Sequence, residues 1–227
     1  MNGSSNGKDF WKEVWHYFEI ISSTPYDQVF VKTGDGFLDN EWFRGAAFNL
    51  AENIMRIRDS RIGLICCDEF GNRETITYNE IYEQTKLYAA AFRKHGLKVG
   101  DRVAYYISNI KESLFAMLAT ISIGAIWGGP FTLSWTQNSI KYYEGSRSKI
   151  YHFSGSFSQA CGAALSNRKF VSYSKSILLD DFLQSGMTAD GVVPDLIFEQ
   201  LPFNHPTIIN FTSGTTGTQR GWFTQLE

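Results

Sequence analysis

One stretch near the end of the chain most constrains its fold: an apolar run that stops abruptly at a cluster of glycine and hydroxyl residues. Ile208 and Ile209 lie in this run, and β-branched residues predict a strand that enters a packed sheet. Six residues without bulky side chains follow Phe211: Thr212, Ser213, Gly214, Thr215, Thr216 and Gly217. Glycine permits positive φ, and consecutive inward N–H groups form a nest for an anion, usually phosphate. The stretch therefore predicts a phosphate-binding loop, in preference to an ordinary polar loop between strands.

In the middle of the chain a strand, a helix and a second strand follow one another. Residues 102–107 predict the first strand and residues 125–127 begin the second. Asn109 with Glu112 predicts the start of the intervening helix, and Gly124 predicts its end. The helix carries its apolar residues at helical spacing: Leu114, Phe115, Met117, Leu118 and Ile121. This βαβ unit predicts parallel strands, and hence an α/β fold with a mostly parallel sheet flanked by helices.

The residues before this unit predict two helices and a hairpin. Residues 10–21 predict a helix with one apolar face, formed by Phe10, Val14, Tyr17, Phe18 and Ile21. Residues 42–53 predict an aromatic anchor, a glycine turn and the start of a helix that continues to about Arg58. Residues 62–67 and 74–77 predict a hairpin with a Gly-Asn turn.

A capping box predicts the helix after the hairpin, with Thr77 as the N-cap and Glu80 reaching back to it. This helix is expected to run to about His95 and to be closed by Gly96. One side of it carries Ile81, Thr85, Tyr88 and Phe92.

Weaker patterns follow the βαβ unit. Residues 149–153 predict a strand, residues 158–166 a short helix, and residues 177–183 another short helix. Residues 198–206 predict an extended lead-in to the strand at Ile208.

Composition and charge exclude several classes of protein. The chain of 227 residues allows one large domain or two small ones, and its net charge of -2 indicates no nucleic-acid surface. No apolar run approaches a membrane span, and the polar N-terminus is not typical of a secretory signal. Cys66, Cys67 and Cys161 lack metal-ligand spacing, which predicts reduced thiols in a cytoplasmic protein without a metal site.

The sequence predicts no catalytic residue. Asp180 and Asp181 are adjacent, so on a helix their side chains point apart, which favours a solvated helix end over an acid/base pair. His95 is interpreted as a favourable residue near a helix C-terminus. His152 is interpreted as a core histidine, and His205 as part of a local turn.

The predicted loop resembles the phosphate-binding signature of the adenylate-forming enzymes, which include the acyl-CoA synthetases, and residues 212–217 match that signature throughout. It differs from the common P-loop, because no Gly-Lys pair follows its glycines. In the family a variable residue, Pro and Lys come next, whereas this chain has Gln219 and Arg220 at the last two positions. The resemblance implies that the six loop residues bind phosphate, with Arg220 in place of the lysine. Arginine keeps the charge and changes the donor geometry.

Other stretches resemble the acetoacetyl-CoA synthetases in particular. Residues 42–53 match a Trp-Phe-x-Gly-x-x-x-Asn-x-Ala-Glu-Asn segment of that family, and the Ala-Glu-Asn triplet sets it apart from the looser version in acetyl-CoA synthetases. Residues 100–103, 122–127, 179–183 and 199–206 also match runs of the family. The resemblance implies a two-step ligase in which ATP and acetoacetate form an acyl-adenylate and pyrophosphate, and coenzyme A then displaces AMP to give the thioester. It also implies Mg²⁺ on the phosphates, and it leaves acetate or propionate open as the small acid.

The resemblance further implies that the chain is the N-terminal part of such an enzyme. It divides the chain into a disordered tail over residues 1–9, a helical segment over 10–60, a truncated α/β adenylate-forming domain over 61–217 and a divergent tail over 218–227. Residues 128–173 are expected to be shorter than in the family. Because the family's adenine-binding part and catalytic C-terminal domain follow the loop, the chain is expected to be inactive alone and to self-associate through open sheet edges. The alternatives are a non-catalytic fragment that binds a nucleotide or a partner, and a truncated product without a function of its own.

Overall fold

A computed structural model of the chain describes residues 5–35, 39–68, 70–106, 110–128, 153–154, 179–211 and 221–224. The helices in these ranges are α1 (Ser5–Tyr17), α2 (Leu50–Ile54), α3 (Tyr78–Lys94), α4 (Lys111–Ser122) and α5 (Leu179–Ser185). The strands are β1 (Ser22–Thr24), β2 (Gln28–Lys32), β3 (Asn40–Arg44), β4 (Ala47–Phe48), β5 (Ile62–Cys67), β6 (Arg73–Thr77), β7 (Arg102–Tyr106), β8 (Ile126–Gly128), β9 (Phe153–Ser154), β10 (Leu201–Pro202), β11 (Ile208–Phe211) and β12 (Gly221–Thr224).

The largest sheet is mostly parallel and has the strand order β12-β11-β8-β7-β9. Strand β8 pairs in parallel with β7 and with β11, and β7 pairs in parallel with β9. Among the described strands of this sheet, β12 alone runs antiparallel, against β11. The predicted βαβ unit is confirmed, because β7, α4 and β8 follow one another and the two strands are parallel.

Helices α3 and α4 contribute much of the apolar core that packs with this sheet. Phe92 of α3, Leu118 of α4 and Val103 of β7 are each at most 1% exposed. The face predicted for α3 is confirmed, since Ile81, Thr85, Tyr88 and Phe92 are all buried. Burial of such side chains stabilises the fold by about 1.5–3 kcal/mol each.

The predicted start of α3 is also confirmed. The Thr77 N–H donates to Glu80 Oε2 at 2.7 Å, and the Glu80 N–H donates to Thr77 Oγ1 at 3.2 Å, which together form a capping box. Gly96 follows the helix with φ +84, as its predicted closing role requires. Strands β5 and β6 form the predicted antiparallel hairpin, whose turn contains Gly71 at φ +83.

Two buried threonines in these helices differ in one respect. The hydroxyl of Thr120 donates to Ala116 O at 2.8 Å, whereas the hydroxyl of Thr85 has no hydrogen-bond partner among the described residues. A buried polar group without a partner costs about 1–3 kcal/mol. We expect Thr85→Val to raise the free energy of unfolding by about 1 kcal/mol and Thr120→Val to lower it by a similar amount. Urea denaturation of both variants checks this, and a loss of stability in Thr85→Val would contradict it.

The N-terminal part differs from the sequence prediction. Helix α1 begins at Ser5, inside the expected tail, and ends at Tyr17 rather than near residue 21. The predicted apolar face was wrong, since Phe10 is 59% and Tyr17 is 82% exposed, whereas Trp15 is buried. Trp15 packs in an aromatic cluster that also contains Tyr26, Phe43, Phe48 and Phe203. Contacts with residues distant in sequence, rather than periodicity, select the buried ring.

The segment from residue 42 to residue 53 contains the predicted glycine turn, but strands lie on both sides of this turn, where a helix was expected directly after it. Residues 42–44 end β3, Gly45 turns with φ +85, β4 follows, and α2 ends at Ile54 instead of near Arg58. Strand β4 pairs with β1 and β10, so this segment joins the N-terminal part to residues 201–202.

The N-cap of α2, Asn49, joins three parts of the chain. It is 1% exposed, and its Oδ1 accepts from the N–H groups of Ala51 and Glu52 at 2.9 and 3.3 Å. Its Nδ2 lies within hydrogen-bond distance of three carbonyl oxygens: Ile121 at 3.1 Å, Ser122 at 3.2 Å and Glu199 at 2.8 Å. The same motif continues in Asn53, whose side chain both donates to and accepts from the backbone of Ile21. Asn49 and Asn53, which both belong to the segment that resembles the family, therefore make hydrogen bonds that hold the fold together.

Helix α5 packs closely on α3. A Cβ added at Gly186, directly after α5, would lie 2.4 Å from the backbone nitrogen of Ala91. The His95 ring stacks on Phe182 at 5.1 Å, and its Nε2 lies 3.0 Å from Ser185 Oγ. His95 therefore has packing and hydrogen-bonding partners at the predicted helix end.

This packing predicts a pH dependence. Burial lowers the pKa of His95 below its ordinary value of 6.5, and Lys94 lowers it further. A lowered folded-state pKa means that the unfolded chain binds more protons, so the stability contribution is complete above pH 6.5 and is lost as the pH falls below it. We expect stability to fall over the pH range below 6.5 in the wild type and to fall less over that range in His95→Gln. Urea midpoints measured across that range check this, and equal slopes would contradict it.

Candidate functional site

The carboxyl ends of three parallel strands lie at one edge of the large sheet. Ala104 of β7, Gly128 of β8 and Ile209 of β11 form one row across it. Strands β7 and β11 extend two residues past this row, to Tyr106 and Phe211. In open α/β sheets, ligands bind beyond the carboxyl ends of the strands.

The predicted strand before the loop is confirmed, because β11 covers Ile208–Phe211 and Ile209 is 1% exposed. The loop residues themselves, and Arg220, lie outside the described residues. The residues on either side of positions 212–220, Phe211 and Gly221, are described. Phe211 pairs directly with Gly221, so the nine residues between them leave and re-enter the sheet at neighbouring positions.

Strand β12 was not anticipated. Residues 221–224 fall in the segment predicted as a divergent tail, yet they pair with the whole length of β11. No turn signal of a short hairpin precedes them, so a local pattern would not have identified the pairing. The remaining residues of that tail, 218–220 and 225–227, lie outside the described part.

The amino end of α4 follows β7 and lies at the same edge of the sheet. The predicted cap was wrong, since the N-cap residue is Ile110 and it makes no side-chain capping bond. Asn109 lies outside the described residues. Lys111 Nζ pairs with Glu74 Oε1 at 2.5 Å, and this hydrogen bond to the carboxylate raises the pKa of Lys111. The pair connects α4 to the β5–β6 hairpin.

The lead-in to β11 is held against α2 and α4. The Glu199 N–H donates to Ser122 O at 2.8 Å, and Gln200 Nε2 donates to Glu52 Oε2 at 2.9 Å. Further along, the Trp127 N–H donates to Thr207 O at 2.8 Å. Hydrogen bonds at both ends of the lead-in thus fix the approach of β11 to β8.

The acidic and thiol side chains considered from the sequence lie on α5 and β5 where the structure describes them. Asp180 and Asp181 are exposed on α5, as predicted. Cys66 is half-buried and Cys67 exposed on β5, both as free thiols, while Cys161 and His152 lie outside the described residues. Within the described ranges, no three His, Cys, Asp or Glu side chains are grouped to hold a metal ion.

Parts of the central chain remain predictions. Strand β9 covers only the last residue of the predicted strand and the one after it, and residues 149–152 lie outside the described ranges. The predicted helix at residues 158–166 lies outside them too. The short helix predicted at 177–183 is confirmed as α5. In the part of the chain that the structure describes, no helix is long and apolar enough to span a membrane.

Comparison with known proteins gives consistent matches. The model of the family described as AMP-binding enzyme matches residues 58–224. Acetoacetyl-CoA synthetases from Mus musculus and Gallus gallus are 37% and 36% identical, over 93% of this chain and 36% of each relative. A solved acetoacetyl-CoA synthetase from Streptomyces lividans matches the structure with a TM-score of 0.73 and 23% identity, over 99% of this chain and 38% of that one. That structural match shows the fold.

The matches also show how the length of this chain compares with that of its relatives. The chain spans about a third of the length of the curated relatives it matches. The alignment with the Mus musculus protein extends over 243 residues, more than the 227 of this chain, so that relative has additional residues within the matched part.

Proposed function

The chain belongs to the family of AMP-binding enzymes, and we propose that it contributes the triphosphate-binding loop of an acetoacetate–CoA ligase. Six residues would bind the β- and γ-phosphates of ATP through N–H and hydroxyl groups: Thr212, Ser213, Gly214, Thr215, Thr216 and Gly217. Arg220 would add a positive charge. The observation that carries the proposal is β11, which leads this segment to the carboxyl edge of a parallel sheet.

The composition of the segment fits an anionic group. The nine residues between β11 and β12 contain no Asp or Glu, and Arg220 is the charged residue among them. Amides and hydroxyls at this edge would stabilise the negative charge of the phosphates and position the α-phosphorus for attack. Mg²⁺, which favours phosphate oxygens, would bind together with ATP.

The proposed reaction has two steps. Acetoacetate attacks the α-phosphorus of ATP to give acetoacetyl-adenylate and pyrophosphate, and the thiol of coenzyme A then displaces AMP to give acetoacetyl-CoA. The names of the relatives support acetoacetate over acetate or propionate as the acid. We assign no catalytic residue in this chain. We also propose a cytoplasmic location, and self-association through the outer strands of the sheet.

Calorimetric titration with MgATP tests the loop assignment. We expect the wild type to bind MgATP, and Gly214→Val/Thr215→Val to bind it at least about tenfold more weakly, a loss of about 1.4 kcal/mol. Valine at these positions removes a hydroxyl and restricts the backbone. The matched control is Gly7→Val/Thr75→Val, which makes the same changes at exposed positions in α1 and β6. Equal binding by wild type and loop variant would contradict the assignment.

A second candidate is a non-catalytic part that binds nucleotide only. It rests on the same residues between β11 and β12 and requires no catalytic residue of this chain. Acetoacetate-dependent release of pyrophosphate from MgATP distinguishes the two functions: release supports the ligase, and nucleotide binding without release supports the second candidate.

A further inference from the structure

The amino ends of β7, β8 and β11 meet at one carbonyl group. Gly124 lies in the turn between α4 and β8 with φ +76. Its carbonyl oxygen accepts a hydrogen bond of 2.9 Å from the N–H of Gly100, a residue that precedes β7. The same oxygen lies 2.9 Å from Nε2 of His205, which precedes β11. A carbonyl oxygen has two lone pairs, so these two contacts complete its capacity.

The direction of the second hydrogen bond follows from its chemistry. A carbonyl oxygen only accepts, so Nε2 of His205 carries the hydrogen and donates it. The ring is half-buried, and the His205 N–H donates to Pro202 O at 2.9 Å, which closes a turn. The predicted turn role is therefore confirmed, and the ring adds a hydrogen bond between this turn and the α4–β8 turn.

The surroundings leave little room for an alternative arrangement. A Cβ on Gly124 would lie 2.8 Å from Leu201 Cδ1, so the Leu201 side chain occupies the space that the glycine leaves open. Two residues beyond His205, Thr207 O accepts the Trp127 N–H. In the sequence, His205 thus lies between Leu201, which packs beside Gly124, and Thr207, which makes the first hydrogen bond between the β11 segment and β8.

We propose that His205 is a positioning residue for nucleotide binding, because its hydrogen bond to Gly124 O fixes the register of β11 against β8. This inference rests on the proposed function. A one-residue shift in register would turn Ile209, which is 1% exposed, away from the core. With about 3.3 Å per strand residue, fixing the start of β11 also fixes where residues 212–217 leave the sheet.

His205 would affect nucleotide binding without touching the nucleotide. Thr212 lies seven positions beyond His205, a span of about 23 Å in an extended chain, so the ring would not reach phosphates bound at residues 212–217. Binding depends on the placement of the loop residues to within about 1 Å. A fixed register of β11 against β8 would supply placement of that accuracy.

The test compares two variants of matched length. Gln at position 205 retains an Nε2 donor, and Met has a similar unbranched chain without one. We expect His205→Met to weaken MgATP binding about tenfold and His205→Gln to bind within about twofold of wild type. We also expect faster hydrogen exchange of the Trp127 amide in His205→Met only. His16→Leu, at an exposed position of α1, is the control and should bind MgATP normally.

Affinity is measured where every variant is fully folded by circular dichroism. Under those conditions a merely structural role lowers the unfolding midpoint and leaves the affinity unchanged, and that result would overturn the proposal. Equal exchange of the Trp127 amide in all variants would overturn it as well. If the wild type itself binds no MgATP, the proposed function fails, and exchange at Trp127 still decides whether His205 fixes the register.

Discussion

Replacing Asn49 with aspartate is expected to lower the free energy of unfolding by about 4 kcal/mol at neutral pH. Aspartate keeps the oxygen that caps α2, but it replaces Nδ2 with an oxygen facing three carbonyl oxygens. The position is 1% exposed, so the new carboxylate would be buried without a partner of opposite charge among its described contacts. Because single domains are stable by about 5–15 kcal/mol, this loss is a large part of the total.

Urea denaturation at neutral pH measures this loss. The matched control is Asn79→Asp, an exposed position in the first turn of α3. There a negative charge is favourable near the helix N-terminus, so the control should be neutral or slightly stabilising. A loss below about 1 kcal/mol in Asn49→Asp would mean that the carbonyl contacts of Nδ2 contribute little.

Replacing Gly186 with alanine is expected to destabilise the protein by about 3 kcal/mol, near the upper end for overpacking. The added methyl group would lie 2.4 Å from Ala91 N, 2.7 Å from Ala90 C and 2.8 Å from Ala91 Cα. All three are backbone atoms of α3, so they cannot rotate away as a side chain would. Helix α5 must therefore shift, which separates Phe182 from Phe92 and His95.

Thermal unfolding and hydrogen exchange together test the second prediction. We expect a lower melting temperature and faster exchange of the α5 amides in Gly186→Ala. Gly7→Ala is the control, since no heavy atom lies within 4 Å of its added Cβ, and it should stabilise α1 by about 0.5–1 kcal/mol. Unchanged exchange in α5 would show that the α3–α5 contact adapts to the methyl group.

Local signals predicted the central part of the fold well. The capping box at Thr77, the hairpin before it, and the βαβ unit each depend on residues close together in sequence, and each is confirmed. The strand at Ile208 was also predictable, because a short β-branched run before glycines has few other structures available.

Non-local contacts explain what the sequence did not predict. Trp15 is buried because Tyr26, Phe43 and Phe48 pack around it, and periodicity within α1 cannot reveal rings in other parts of the chain. The sequence predicted a helix start within residues 42–53, but the carbonyl oxygens near Asn49 Nδ2 lie 72 to 150 residues away from Asn49.

The sequence predicts which residues form the candidate site, whereas the position of the strands next to them comes from the structure. Glycine and hydroxyl residues indicate an anion, and the family resemblance assigns that anion to ATP. The pairing of β11 with β12 and the junction at Gly124 depend on strands that meet only in the folded chain. Those contacts determine where the segment after Phe211 leaves the sheet.

An NMR titration that follows the backbone amide signals of residues 212–217 shows whether the segment after Phe211 binds the triphosphate of ATP. MgATP and inorganic tripolyphosphate should both shift these signals, because the N–H groups would donate to phosphate oxygens. The amides of the β5–β6 hairpin should remain unshifted and serve as the internal reference. If saturating MgATP leaves the loop signals unchanged, or shifts only amides elsewhere, residues 212–217 do not bind the nucleotide.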